Sequence, residues 1–457
     1  MTANDTPGPD LSGLRKFLVV NPRSGPALLS GQVMWGAWAA ASWFKRSVPG
    51  ANVVYLDENN EDGFRAKFEA AAADRDAVGF SLTSMQIKYA LPLMRWLREH
   101  NPRAKIIVGG AHPALFPGQP YGSLVDVVFP GDLPKDEFLY EFLPEKVRAA
   151  YRRERAQVIT GFNCSFKCTF CVNSVRNCRY EPVPVGKLLA DLDYVVREFA
   201  PPRIYFRDED FFFDIEKAKA VIDHILAKGY RFRWEATSRV TNFTRLKIDD
   251  ALLAKMAGAG CAQIRFGVES GSQATLNLLR KGQTVPLIKH AVSQCVKYGI
   301  AANCSFLIGI PGETPEGREE TYRLIGELAA LGPKVELLGP QVYRPYPGGK
   351  LYEEVQKYGL RFPTDFEGWA EFYDKNPSGS VFDENPSYPW LTAAENEELP
   401  RVWEVVHYGL NWSASANPVK RLAGLWFRKM HWDRRRFGGA DLALFMALRR
   451  RLLRSGI

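Results

Sequence analysis

Three cysteines at the spacing C-x3-C-x2-C, Cys164, Cys168 and Cys171, carry the strongest chemical signal in the chain. They follow an apolar run, Ala156 to Thr160, that reads as a strand. A loop of this length can wrap three thiolates around one face of a cubane iron–sulfur cluster. Such a cluster ordinarily takes four cysteines, so three leave one iron open to a ligand from outside the chain. The competing readings are a structural zinc site and three unrelated buried thiols. Zinc sites pair two cysteines with a second, distant pair or with histidines, and no His lies in this loop.

With Phe170 just before the last cysteine, the loop Gly161 to Cys171 resembles the signature of the radical SAM superfamily. The resemblance implies that the open iron binds the amino and carboxylate groups of S-adenosylmethionine. An electron from the cluster then cleaves it to methionine and a 5′-deoxyadenosyl radical. Further segments follow in order. Arg207-Asp208-Glu209-Asp210 places three acids in a row, which cannot all be buried unpaired. These acids, Asp208 first among them, are candidates for the ribose or amino groups of the cofactor, and a solvated rim is the alternative. Glu235 and Arg239 suit the ammonium and carboxylate of its methionine part through charge-assisted bonds. Glu269 and Ser270 lie in a segment matching the family's G-x-E-S, and Gly309 and Pro311 in one matching its G-x-P-G-E-T turn. In that family these two segments contact the cofactor. Cys178, Cys261, Cys295 and Cys304 do not share the cluster spacing and read as small buried hydrophobes.

The elements that must position these residues follow from the rest of the chain. Its 457 residues suggest two to four domains. An apolar fraction of 46% with 24% charged residues suits a globular protein with a sizeable core. Seven cysteines, none before Cys164, are too few for a disulfide scaffold. With the cluster loop they point to a reducing cytoplasm. Residues 1–13 lack the regions of a signal peptide, so no export is expected. No apolar run reaches the roughly 18 residues needed to span a bilayer. The net charge of +9 is concentrated toward the C-terminus.

Residues 14–145 alternate strands and helices: Lys16 to Asn21, Ala51 to Leu56, Ala77 to Leu82, Lys105 to Val108 and Val125 to Phe129 read as strands. The pattern predicts a doubly wound, Rossmann-like α/β sheet with its ligand at the strand carboxyl ends. Those ends carry Asn21 to Gly25, Asp57 to Asn60, Ser81 to Ser84 and Gly109 to His112. Ser81-Leu82-Thr83 followed by Gly109-Gly110 resembles cobalamin-binding domains, in which such segments line the tunnel for the nucleotide tail. The resemblance implies contacts from Ser81, Thr83, Gly109, Gly110 and His112. The family's Asp-x-His-x-x-Gly is replaced by Asn21-Pro22-Arg23-Ser24-Gly25, so no histidine ligand is expected from that loop. A docking platform without cobalamin is the alternative.

Residues 151–350 show six strand-then-helix units. Their strands are Gln157–Thr160, Arg203–Arg207, Arg231–Ala236, Gln263–Val268, Asn303–Ile310 and Glu336–Val342. They resemble the partial (β/α)6 barrel of the superfamily, with reactive groups at the strand carboxyl ends. Residues 351–457 read as a mostly helical C-terminal cap. Its aromatics, Trp369, Phe372, Tyr373, Tyr388, Trp390, Trp403 and Tyr408, suit a pocket wall or an ordinary small core. From Lys420 to Arg454 eleven Lys or Arg face only Asp433 and Asp441. This basic tail is a candidate for peripheral membrane contact or for docking an acidic flavodoxin or ferredoxin as electron donor. No motif supports nucleic-acid binding.

Together these features predict a cobalamin-dependent radical SAM enzyme, first of all a C-methyltransferase acting in biosynthesis on a small-molecule substrate. Its cofactors would be S-adenosylmethionine, a 4Fe–4S cluster and cobalamin. Holding both domains on one chain would replace a bimolecular encounter of cofactors. An oxidative cyclase or rearrangement enzyme, acting on a tetrapyrrole or lipid-like substrate, is the alternative chemistry.

Overall fold

Strand β1 (Lys16–Asn21) is buried on both faces, with Leu18 and Val20 in one apolar cluster and Phe17 and Val19 in another. A continuous apolar run is what a parallel strand between two helical layers requires. The computed structural model describes residues 11, 13–24, 31–129, 138–174, 179–345, 350–375 and 388–445. Gly25, Cys178, residues 346–349, the side chain of Tyr373 and the tail beyond Phe445 lie outside that description.

The chain divides into two compact units. The first holds residues up to Ala156, Asp193–Pro202 and the stretch from Arg361 to Lys375. The second holds Gln157–Leu192, Arg203–Leu360 and the described residues from Tyr388 onward.

In the first unit β1, α1 (Trp35–Ser47), β2 (Asn52–Asp57), α2 (Phe64–Ala72), β3 (Ala77–Ser81), α3 (Ile87–His100), β4 (Lys105–Gly109), α4 (Ala111–Leu115), β5 (Val127–Val128) and α5 (Glu145–Arg153) follow in turn. The strands form one parallel sheet in the order β2-β1-β3-β4-β5. The expected fifth strand, Val125 to Phe129, pairs over two residues only. α1 covers the face with Phe17 and Val19, and α2 and α3 cover the face with Leu18 and Val20.

The second unit begins with β6 (Ala156–Ile159), a short antiparallel ribbon of β7 (Gly161–Phe162) and β8 (Glu181–Pro182), and the first half of α6 (Val185–Phe199), whose residues from Asp193 on count with the first unit. Then come β9 (Arg203–Arg207), α7 (Ile215–Ala227), β10 (Arg233–Ser238), α8 (Asp250–Gly258), β11 (Cys261–Glu269), α9 (Gln273–Leu278), α10 (Val285–Lys297), β12 (Ala301–Ile308), α11 (Pro315–Ala329) and β13 (Val335–Val342). The six-stranded sheet runs β13-β12-β11-β10-β9-β6, and β9 to β13 are parallel neighbours. Alternation sorts its two faces. Phe206, Trp234, Ala236, Ile264, Phe266, Cys304 and Phe306 are buried on one side. Tyr205, Glu235, Thr237, Arg265, Asn303 and Ser305 make the other side polar.

The covering helices begin where short polar side chains cap them. Asp214, Asp249, Thr284 and Thr314 each accept the backbone N–H three residues on, at 2.8–3.4 Å. Replacing such a cap by alanine costs about 1 kcal/mol. Asp249→Ala is therefore expected to lower stability by about that amount in urea titration, without altering cofactor content.

Four helices end the order: α12 (Lys350–Gln356), α13 (Phe366–Lys375), α14 (Ala393–Val405) and α15 (Pro418–Phe427). α13 was expected in the C-terminal cap and belongs instead to the first unit. Phe366 and Trp369 are buried in the α3-side core, where they fill space the α2–α3 layer leaves open. Phe366 N–H also donates to the Pro120 carbonyl at 3.3 Å. Trp369 is thus core rather than pocket wall. In the second unit Tyr388 stacks on Trp390 at 4.7 Å and Trp403 on His407 at 5.1 Å.

Candidate functional site

The cysteine loop is tied at both ends. At its start β7 pairs with β8, so the segment from Asn163 to Tyr180 leaves and returns at one place. A Cβ on Gly161 would come within 2.6 Å of Tyr180 Oη and 2.7 Å of Asp208 Oδ2, so only glycine admits these side chains. Asn163 then takes a left-handed conformation (φ 62°) that turns the chain into the loop. Further on, Thr169 donates its N–H to Leu279 O at 3.0 Å and its hydroxyl to Leu278 O at 3.1 Å. Cys171 N–H closes a tight turn onto Cys168 O at 3.1 Å.

All three cysteines are free thiols, Cys168 buried and the others half-buried. Burial, its largest cause, pushes the Cys171 thiol up to about 11 and raises that of Cys164. The charges of Glu209 and of the neighbouring thiols add to both shifts. Thiolate ligands must be deprotonated to bind iron, and a buried thiolate needs a compensating cation. Among the described residues no three His, Cys, Asp or Glu side chains are arranged to hold a single metal ion. A cubane cluster instead spreads its thiolates over different irons. Three soft ligands on one turn, with no histidine among them, fit that donor set.

Cations and one more acid converge on the loop. Arg239, just past the end of β10, lies with its guanidinium carbon 3.7 Å from the Phe166 ring centroid and Nη1 3.7 Å from Cys168 Sγ. Its Nη2 donates to the Lys281 carbonyl, while its buried Nε has no partner among the described residues. Asp210 positions it by accepting from Arg239 N–H at 3.4 Å and from Asn242 Nδ2 at 2.7 Å. Glu269, at φ 65°, ends β11 and accepts from buried Lys281 Nζ at 2.9 Å. That ammonium lies 5.6 Å from the Phe170 ring centroid. The structure thus brings Cys168, Phe170, Arg239 and Glu269 to one place, and adds Phe166, Glu209 and Lys281. Nothing in the spacing marks Lys281. Glu209 is one of the three acids read after β9, and its charge acts on Cys164 and Cys171.

Four other expected cofactor contacts are occupied otherwise. Asp208 is fully buried. Its Oδ2 accepts from Lys217 Nζ, Tyr180 Oη and Thr160 Oγ1, each at 2.9 Å, and its Oδ1 from Asp210 N–H at 3.1 Å. Those bonds use the carboxylate inside the fold. Glu235 does not meet Arg239. It sits three residues before the end of β10, about 10 Å along the strand, and accepts from Arg265 Nη2 at 2.8 Å on the polar face. Ser270 is buried and bonds Thr321 Oγ1 at 2.8 Å and Ser272 N–H at 3.0 Å, fastening the strand end to α11. Gly309 donates to Glu313 Oε2 at 2.7 Å and accepts from Trp390 Nε1 at 2.8 Å, so its backbone groups are engaged internally. Pro311 is buried beside it.

In the first unit the carboxyl edge of the sheet is held by a buried polar network. Asn21 donates to Asp57 at 2.8 Å, and Gln86 donates to Asn21 at 2.9 Å and to Pro22 O at 2.6 Å. The Thr83 hydroxyl bonds Gln86 Oε1 at 3.0 Å, which commits it to this network. Gly110 has φ 99°, and a Cβ there would meet Leu82 N at 2.8 Å and Ser81 Oγ at 3.2 Å. A Cβ on Gly36 would likewise approach Ser81 Oγ to 3.1 Å. Ser81 thus packs against two backbones bare of side chains, and both glycines are required by the chain's own close packing at this edge.

His112, expected at that edge, is core instead. It is fully buried, bonds Ser84 Oγ through Nδ1 at 2.8 Å, and is enclosed by Phe116, Tyr121, Phe366 and Trp369. Burial lowers its pKa to about 4 from 6.5. The unfolded chain therefore binds the extra proton between those values, and stability present above pH 6.5 is lost as pH falls toward 4. Wild type is expected to lose about 2 kcal/mol more than His112→Gln between pH 7 and pH 5, measured by urea titration at each pH.

The comparisons with known proteins agree with this fold. Residues 158–325 match the family model of the Radical SAM superfamily, and residues 35–138 match that of the B12 binding domain. An uncharacterized methyltransferase of Pyrococcus horikoshii is 29% identical over 215 residues, which cover 47% of this chain and 45% of that protein. The anaerobic magnesium-protoporphyrin IX monomethyl ester cyclase of Cereibacter sphaeroides is 26% identical over 195 residues, 42% of this chain and 31% of that protein. The match thus spans less than half the length of either relative. The solved structure of the cobalamin-dependent S-adenosylmethionine radical enzyme OxsB, with aqua-cobalamin and S-adenosylmethionine bound, shares the fold. Its TM-score is 0.63 at 15% identity, covering 96% of this chain and 75% of that one. A thiol loop, a parallel α/β unit and two family models lead to one conclusion: the chain belongs to the cobalamin-binding radical SAM enzymes, whose cofactors are S-adenosylmethionine, a 4Fe–4S cluster and cobalamin.

Proposed function

We propose that the enzyme transfers a methyl group to a carbon of a small-molecule substrate. The observation that carries the reading is the meeting of Cys168, Arg239, Glu269 and Lys281 at one loop, in a chain that also holds a B12 binding domain. When bound, the cluster supplies the electron that cleaves S-adenosylmethionine, and cobalamin supplies methyl-carrying capacity. In this reading Cys164, Cys168 and Cys171 hold the cluster, and the cation of Arg239 offsets thiolate charge at Cys168. The unpartnered Nε of Arg239 takes the methionine carboxylate through a charge-assisted bond, with Phe166 fixing the guanidinium plane. Glu269, released from Lys281 in part, or Glu209 accepts the methionine ammonium. Ser81, Gly109 and Gly110 admit the cobalamin tail.

The relative named as a methyltransferase supports methyl transfer, and the cyclase relative favours oxidative ring closure as the second reading. Anaerobic assay separates them. The reconstituted protein is loaded with hydroxocobalamin, reduced by a flavodoxin-type donor and given S-adenosylmethionine. Formation of 5′-deoxyadenosine together with S-adenosylhomocysteine is the expected result. Deoxyadenosine without S-adenosylhomocysteine would move the reading to cyclisation or rearrangement.

A further inference from the structure

Helix α15 turns one side to the protein and leaves the other uncovered. Gly424 and Phe427 are buried, and a Cβ on Gly424 would come within 2.3 Å of Ser413 N, so the helix is seated closely on that side. Opposite them Val419, Leu422, Leu425 and Trp426 are 75%, 68%, 48% and 49% exposed. Val419, Leu422 and Trp426 fall at i, i+3 and i+7 and form one stripe along the helix. Contiguous apolar surface of this kind marks an interaction site.

The charges beside the stripe select the partner. From Pro418 to Arg436 there are seven Lys or Arg and one acid, Asp433. Lys420, Arg421 and Lys429 are exposed and have no ion-pair partner among the described residues, while Arg428 meets Asp433 only at 3.6 Å. We propose that α15 docks on an anionic phospholipid surface. The stripe enters the boundary between headgroups and acyl chains, with Trp426 at that level, and the three cations meet lipid phosphates. Among the described residues no helix is long and apolar enough to cross a membrane, so the contact is interfacial. A second copy of the chain on this face would bring like charges together. An acidic protein would match the cations and leave the stripe without a role.

The test is co-sedimentation of the full-length, reconstituted protein with vesicles of phosphatidylcholine alone or mixed with phosphatidylglycerol. Binding to the mixed vesicles is expected to be at least about tenfold stronger and to weaken as salt is raised. The double change Leu422→Asp, Trp426→Ala should lower it by about tenfold or more. Lys420→Glu with Arg421→Glu, which alters only exposed polar positions, should do the same. The proposal is overturned if both vesicles bind equally or neither binds. It is equally overturned if both variants bind like the wild type, or if the apolar variant dissolves a dimer instead.

Discussion

Cys168→Ala is expected to abolish cleavage of S-adenosylmethionine. Cys168 is the most enclosed of the three loop thiols, with Arg239 Nη1 3.7 Å from its sulfur. The loop's anchors lie on its neighbours, Thr169 and Cys171, whose backbone bonds an alanine leaves in place. The expected loss is therefore chemical. With two thiolates left to hold a cluster of four irons, 5′-deoxyadenosine formation should fall more than about a thousandfold, a barrier rise above about 4 kcal/mol. Iron and sulfide content should fall with it, while urea unfolding of the iron-free protein stays close to wild type. Cys304→Ala is the comparison. Cys304 is fully buried in β12, and burial pushes its thiol pKa up, as for an inert core thiol. That variant should lose some stability and keep its iron. Full iron and turnover in Cys168→Ala would remove the cysteine loop from the proposed centre.

Lys217→Met is expected to destabilise the second unit by about 3–5 kcal/mol, because it strands a buried carboxylate. Lys217 and Asp208 are both wholly buried and 2.9 Å apart, and Lys217 Nζ also donates to Thr160 O at 3.0 Å. Asp208 closes the cluster loop from behind through Tyr180 and Thr160. Breaking the pair should therefore loosen the loop as well as lower stability. The double change Asp208→Leu, Lys217→Met should be less destabilised than the sum of the singles, since neither charge is then left unpaired. Urea titration of the two singles and the double measures this. If Asp208 instead binds the cofactor directly, Asp208→Asn would weaken S-adenosylmethionine binding while leaving stability unchanged. The bonds on its two oxygens argue for the opposite pattern.

The chain's own order determined much of this protein. Cysteine spacing depends on three residues of one loop, so Cys164, Cys168 and Cys171 could be read without knowing any other contact. The strands were equally legible, because runs such as Phe17 to Val20 must be buried on both faces whatever surrounds them. Phe170, Arg239 and Glu269, which the fold gathers at the cysteine loop, could be picked out because each lies next to a strand end or in a short local motif.

What tertiary structure decided is which polar side chains are still available once the fold has used the rest. Asp208 and Ser270 stand at strand ends like Glu269. Lys217, 9 residues from Asp208, and Thr321, 51 residues from Ser270, claim them through contacts no local pattern encodes. His112 looked like an edge residue until Phe366 and Trp369, more than two hundred residues later, closed over it. Lys281 entered the site because the turn after α9 folds back onto the cysteine loop. Local sequence sets which groups a strand end presents. Whether such a group is free depends on the energy of leaving any buried partner unpaired, and only long-range packing decides that.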